Sequence, residues 1–252
     1  MSLPPGRPKE GSLPLGGTAR SAKGAHSSLP PGRPKEGSLP LGGTARSAKG
    51  AHIVVERLTP ARRADFLRFF DHQQGAAFAD NPEWAKCYCH YYHVPKAIVW
   101  NTLDGAANRA AMTARIDVGE MDGFLAYAGE DVVGWVNAQP WHKLPHACAR
   151  LNIPAPPLPV PLHEAAAVVC FVVAPQWRRR GVARVLLDAA LASFRERGIR
   201  VIDAFPWKSE DSEKPTDHYH GPLSLFIAAG FSVLRDDDEN MTVVRKRLDA
   251  PV

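Results

Sequence analysis

No apolar run in this chain approaches the roughly 18–20 residues that a membrane-spanning helix needs, which excludes a helical membrane protein. Both common phosphate loops are missing. There is no G-x-x-x-x-G-K-[ST], and no G-x-G-x-x-G followed by an acid about 20 residues on. Cysteine is scarce, at four residues (Cys87, Cys89, Cys148, Cys170). With no recognisable signal peptide, these read as reduced thiols of a cytoplasmic protein. Aromatic residues are absent from the first 52 positions, where Gly, Pro and Ser dominate and residues 2–26 recur unchanged as 28–52. Such a segment buries too little apolar surface to offset its ordering entropy, so 1–52 is expected to be a disordered tail. An excess of one charge is lacking elsewhere. The tail holds 8 of the 31 basic and 2 of the 26 acidic residues, which leaves 23 basic against 24 acidic in 53–252. The pI of 9.1 therefore belongs to the tail. The remainder has no basic excess to recommend nucleic acid or an anionic membrane as a partner.

Residues 53–252 are long enough for one domain with a full core. Their most informative stretch is Cys170-Phe171-Val172-Val173-Ala174-Pro175-Gln176-Trp177-Arg178-Arg179-Arg180-Gly181-Val182-Ala183-Arg184. An apolar strand ends at Pro175, a basic turn with small residues follows, and an amphipathic helix begins at once. Val182, Val185, Leu186, Ala189, Ala190 and Phe194 recur at i, i+3, i+4 and i+7. Free backbone N–H groups at the head of such a helix, together with its positive dipole end, bind phosphate. A plain strand-turn-helix with a basic surface turn would give the same pattern.

Other elements follow from periodicity and turn signals. A strand Ile53–Leu58 precedes Thr59-Pro60, which opens a helix. A second helix is expected around Asn108–Val118. A hairpin pairs 124–127 with 132–138. A proline-rich connection, 139–164, is expected to be stiff and extended. A buried strand 166–174, the amphipathic helix, a strand 199–205, a helix 222–229 and a final hairpin 231–248 complete an order of β-α-α-β-β-β-α-β-α-β-β.

The string Arg178-x-x-Gly181-x-Ala183, with its strand before and helix after, resembles the [Gln/Arg]-x-x-Gly-x-[Gly/Ala] signature of the GNAT superfamily of acyl-CoA-dependent N-acyltransferases. The element order resembles that fold over about 53–248, most strongly over 166–231. Asp80-Asn81-Pro82-x-Trp84, Cys87-Tyr88-Cys89 and His218-Tyr219-His220-Gly221-Pro222 resemble a bacterial branch of the superfamily. The resemblance implies an α/β (α+β) fold. Its central mixed, mostly antiparallel sheet of about seven strands splays at the cofactor site, flanked by about four helices. It implies acetyl transfer from acetyl-CoA to a primary amine by direct attack in a ternary complex. Phe171, Val172 and Val173 are then expected to bind pantetheine through the main chain. The N–H groups of Arg178, Arg179, Arg180, Gly181, Val182, Ala183 and Arg184 are expected to hold the pyrophosphate. The family's usual acid is a tyrosine four residues before the glycine that ends the following helix, and here that position is Phe226.

Tyr219, His220 and His218 are the substitutes for that acid. Glu164 is the favoured base, ahead of His163 and Asp203. Trp84, Tyr88 and Trp135, with Tyr91, Tyr92 and Trp141, are expected to wall the acceptor channel, although core packing would use the same residues. Cys87-x-Cys89-His90-x-x-His93 offers metal-ligand side chains, but this is not a standard zinc spacing, and no metal is expected. The enclosed character of the site points to a small-molecule amine. A protein amine, or a non-catalytic acyl-CoA-binding module, remains the alternative, and a homodimer stays open.

Overall fold

The computed structural model of the chain describes residues 45–46, 52–71, 86–207, 219–236 and 241–248. The strands are β1 (Ala45–Arg46), β2 (His52–Arg57), β3 (Phe124–Ala128), β4 (Asp131–Pro140), β5 (Ala165–Val173), β6 (Val201–Ala204), β7 (Ser232–Arg235) and β8 (Val243–Arg247). The helices are α1 (Arg63–Phe70), α2 (Gly105–Asp117), α3 (Ala147–Leu151), α4 (Val182–Glu196) and α5 (Leu223–Ala228). All the strands lie in one sheet, in the order β1-β2-β3-β4-β5-β6-β8-β7. Only β5 and β6 pair in parallel; the other neighbours are antiparallel.

The element order is the expected one with two additions. A two-residue strand, β1, lies inside the segment read as disordered and pairs with the start of β2. The connection after β4 also carries α3, and its proline-rich part, 153–161, is free of helix and turn. A proline run forces extended chain locally but says nothing about the residues before it.

Local chemistry accounts for the helices that bracket the site. Asp104 caps α2 by accepting the Ala107 N–H at 2.7 Å, as the first turn of a helix requires. Pro60 opens a short 3-10 turn ahead of α1, where its missing N–H is not needed. One face of α4, with Val182, Val185, Leu186, Ala190 and Phe194, is buried against the sheet. Gly134 in β4 lets that helix approach, because a Cβ there would lie 2.8 Å from Val182 Cγ1.

The sheet separates two apolar layers. On one face α1, α2 and the segment around Tyr88–Tyr92 pack on Trp135, Val169, Cys170 and Val172. On the other, α4 and Phe226 pack on Val136, Val168 and Phe171.

Candidate active site

Strand β5 pairs with β6 only from Ala165↔Val201 to Val168↔Ala204. Val169–Val173 run on with no β6 partner, so the two parallel strands part at Val168. On its other side β5 stays paired with β4, with an irregularity that sets Asn137 opposite Cys170 and Ala138 opposite Val168. Val169 is the extra residue, and the resulting bulge bends the strand where it opens.

Which main-chain groups face the gap follows from alternation. The Ala174 N–H donates to Val133 O at 3.0 Å, so Ala174 and Val172 turn their main-chain groups to β4, while Val173 and Phe171 turn theirs to the gap. Val172 is thereby removed from the residues expected to bind pantetheine. Phe171 is already engaged, since its N–H donates to Tyr219 O at 2.5 Å. The Val173 carbonyl accepts Arg178 Nε at 3.0 Å. The Val173 N–H is the group of these three residues that faces the gap without an acceptor among the described residues.

Beyond the gap the chain forms a tight turn, a cradle of main-chain N–H groups. Arg179 and Gly181 both adopt left-handed backbone, at φ +59° and +84°. A non-glycine residue in that region stores strain, and such strain collects at binding sites. A Cβ on Gly181 would meet no protein atom within 4 Å, so the glycine is demanded by its φ and not by crowding. The N–H groups of Arg179 to Ala183 have no backbone acceptor among the described residues, as the first turn of a helix leaves them. Arg180 stacks over Trp177 at 5.4 Å. The Arg184 side chain is spent on Asp188 and on the Ala228 carbonyl, so only its main chain serves the cradle.

Residues 83–220 match the acetyltransferase (GNAT) family. The chain belongs to the GNAT acetyltransferase family. Among solved structures, the GNAT domain of S. lividans PAT is 20% identical, with a TM-score of 0.51 over 84% of this chain and 100% of that one, and it shows the same fold. The PaiA N-acetyltransferase of Thermoplasma acidophilum in complex with coenzyme A is 12% identical, with a TM-score of 0.45 over 78% of this chain and 99% of that one. No curated protein matches. As a GNAT acetyltransferase the protein draws its acetyl group from acetyl-CoA. The free N–H groups at the head of α4, and the open space before Gly181, fit the pyrophosphate of that donor.

Phe226, which stands where the resemblance expects a tyrosine, is fully buried against Phe171 and Phe231. Tyr219 and His220 do reach the gap. Tyr219 bonds Phe171 through its carbonyl, and its ring lies 4.3 Å from that of His220. Burial pushes the Tyr219 phenol above its ordinary range, which keeps it protonated. Burial also lowers His220 to about 3, against a hydrogen bond with the Val169 backbone, and the ring is neutral.

Other expected site residues lie elsewhere. Glu164 stands at the closed end of β5, about 23 Å of extended chain from Phe171, and pairs with Arg200 at 3.0 Å. His163 is exposed beside it. Asp203 is buried and held by Arg245, at 2.6 and 3.0 Å, and by Trp141 Nε1. Trp135 is core, not channel wall. It is fully buried, edge-on to Phe66 at 5.0 Å, and donates to Cys89 Sγ at 3.2 Å. Tyr88 packs on Phe70 and donates to Asp71 at 3.0 Å. Trp84 and His218 fall outside the described residues. Tyr92 is the aromatic that does reach the gap, 6.3 Å from His220.

The two histidines of the Cys-x-Cys-His pattern are taken by other partners. His90 Nδ1 meets Asn108 Oδ1 at 2.8 Å, and His93 Nε2 meets Gln139. Among the described residues no group of three or more His, Cys, Asp or Glu is placed to hold a metal.

Proposed function

We propose that the protein transfers an acetyl group from acetyl-CoA to the primary amine of a small molecule. The observation that carries this reading is that the end of β5 left unpaired by β6, where Tyr219 O holds the Phe171 N–H and the Val173 N–H is open, runs straight into the cradle at Arg178–Gly181. A pantetheine arm laid along that edge reaches from the phosphates back to the aromatic cluster of Tyr92, Tyr219 and His220. The N–H groups of Arg179 to Ala183 hold the pyrophosphate, and the charges of Arg179 and Arg180 add to the dipole of α4. The Val173 N–H, at the cradle end of the strand, donates to the pantetheine arm. Holding amine and thioester together supplies much of the acceleration. Tyr219 takes the place of the missing acid at Phe226, because its phenol is protonated at neutral pH and its main chain is already fixed on Phe171. The buried setting of Tyr92 and His220 favours a small acceptor over a peptide.

Calorimetric titration of acetyl-CoA, followed by CoA release in an amine screen, tests the reading. Binding on the order of micromolar is expected, weakened at least about 100-fold by Gly181→Glu, or roughly 2.7 kcal/mol. That substitution puts a carboxylate into the cradle and a Cβ onto left-handed backbone. Equal affinity in the variant would refute the cradle. Labelling of proteins but of no small amine would refute the acceptor class.

A further inference from the structure

On the α1–α2 face of the sheet, a chain of hydrogen bonds can be oriented atom by atom. The Asp122 backbone N–H donates to Gln139 Oε1 at 3.2 Å. This fixes the Gln139 amide, because a backbone N–H can only donate. Gln139 Nε2 then donates to Asn137 Oδ1 at 2.7 Å and lies 3.2 Å from His93 Nε2. Its second hydrogen is shared between His93 Nε2, which accepts, and Met121 Sδ at 3.3 Å. With Oδ1 of Asn137 turned to Gln139, the amide nitrogen of Asn137 must point away from it. Asn137 is fully buried, and its Nδ2 has no hydrogen-bond partner. The origin of the relay cannot swing, since Arg57 and Arg197 grip the Asp122 carboxylate.

The position of this unpaired donor matters. Asn137 stands opposite Cys170 at the bulge, and Cys170 is two residues past the last β5–β6 pair at Val168. Cys170 belongs to the same apolar layer as Tyr92, with Tyr219 packed against it. His220 lies against the Val169 backbone, and its Nδ1 is likewise buried without a partner. Two unpaired polar atoms therefore border the start of the open stretch of β5. Buried polar groups are nearly always paired. Four buried side-chain atoms among the described residues lack a partner: His93 Nδ1 at the far branch of the relay, Trp207 Nε1, and the Asn137 and His220 atoms. The last two flank the unpaired stretch of β5, and Asn137 Nδ2 is held in orientation by the relay, which marks a place that a ligand completes.

We infer that Asn137 determines acceptor specificity: its Nδ2 donates to a carbonyl or carboxylate oxygen next to the acceptor amine, so the substrates are amines of the amino-acid or amino-amide type. The inference rests on the acetyl-transfer reading above. The only acceptor of a plain neutral alkylamine is the lone pair that must attack the thioester, whereas an oxygen beside the amine accepts from Nδ2 and leaves that lone pair free. A site built to bond a substrate group discriminates strongly against analogues that lack the group.

The test uses the full chain saturated with acetyl-CoA and two matched pairs, glycinamide against ethylamine and phenylalaninamide against phenethylamine, read by CoA thiol release. In the wild type the oxygen-bearing member is expected to be favoured at least about 100-fold in kcat/KM. Asn137→Leu is expected to bring that ratio to within about threefold of unity, with acetyl-CoA affinity reporting that the fold survives. If the leucine variant does not fold, Asn137→Asp keeps the oxygen that Gln139 needs and is expected to collapse the ratio equally. A wild-type ratio near unity, a ratio unchanged in the variants, or no turnover of either oxygen-bearing amine by acetyl-CoA-bound protein overturns the inference alone. Failure of the wild type to bind acetyl-CoA removes the donor site and this inference with it.

Discussion

Asp122 is fully buried, yet it carries two arginines, Arg57 at 2.9 Å and Arg197 at 2.7 Å. Burial alone would raise its pKa, but the hydrogen bonds and charge of the arginines outweigh that and hold it below the usual carboxylate range. The carboxylate joins β2 to the end of α4, and its backbone starts the relay to Asn137. Asp122→Asn is therefore expected to cost about 1.5–3 kcal/mol, the range for hydrogen bonds to charged groups. Urea melts of the variant at neutral pH check this, and an unchanged midpoint would show that the arginines are satisfied by water. Because the folded pKa is lowered, this contribution is present above the unfolded value near 3.9 and is lost as pH falls through the folded one.

Strand β4 couples the two layers. Its face toward α1 and α2 supplies Asn137 and Gln139 to the relay, and on the opposite face Gly134 admits α4. Gly134→Ala places a methyl 2.8 Å from Val182 Cγ1 and 3.2 Å from Leu186 Cδ1. The helix must then lift at the end that holds the cradle. The expected outcome is a loss of about 1–3 kcal/mol from overpacking, together with weaker acetyl-CoA binding. Both are read by pairing thermal melts with calorimetry. Loss of stability with full affinity would place the cradle's rigidity in the Arg178–Gly181 turn, not in the seating of the helix. The elements themselves were legible from periodicity: α4 was marked by its repeat of apolar residues, and β5 by its continuous apolar run. Illegible were α3, which has five residues and no strong period, and β1, whose two residues are held by pairing with β2 alone.

For the molecule as a whole, two buried histidines set the acid limit. Burial lowers His93 and His220 to about 3, whereas an unfolded histidine titrates near 6.5. Below that value the unfolded chain gains protons that the folded chain refuses, so stability falls as pH drops. Each histidine contributes about 1.4 kcal/mol per pH unit, or roughly 2.7 for both, between pH 6 and 5. Denaturant melts across this window check the slope. Replacing one histidine by asparagine is expected to halve it, and a flat profile in the wild type would mean that neither ring is neutral when buried. Among the described residues no helix is long and apolar enough to cross a membrane, consistent with the short apolar runs of the sequence.

The sequence by itself determined the strand-turn-helix of β5 and α4, the glycine of the turn between them and the phenylalanine at Phe226. These are local: periodicity, a glycine at left-handed backbone and residue identity at a fixed spacing are all carried by neighbours along the chain. Tertiary structure decided what each polar or aromatic side chain touches. Glu164 and Asp203 are attractive bases on paper, but Arg200 and Arg245 claim them from 36 and 42 residues away. Trp135 reads as a channel wall until Phe66 and Cys89 close over it, and Asn137 has no signal at all in the linear order. Its role depends on a bulge, a register and a relay begun at Asp122, and such long-range pairings are specified by how the layers pack.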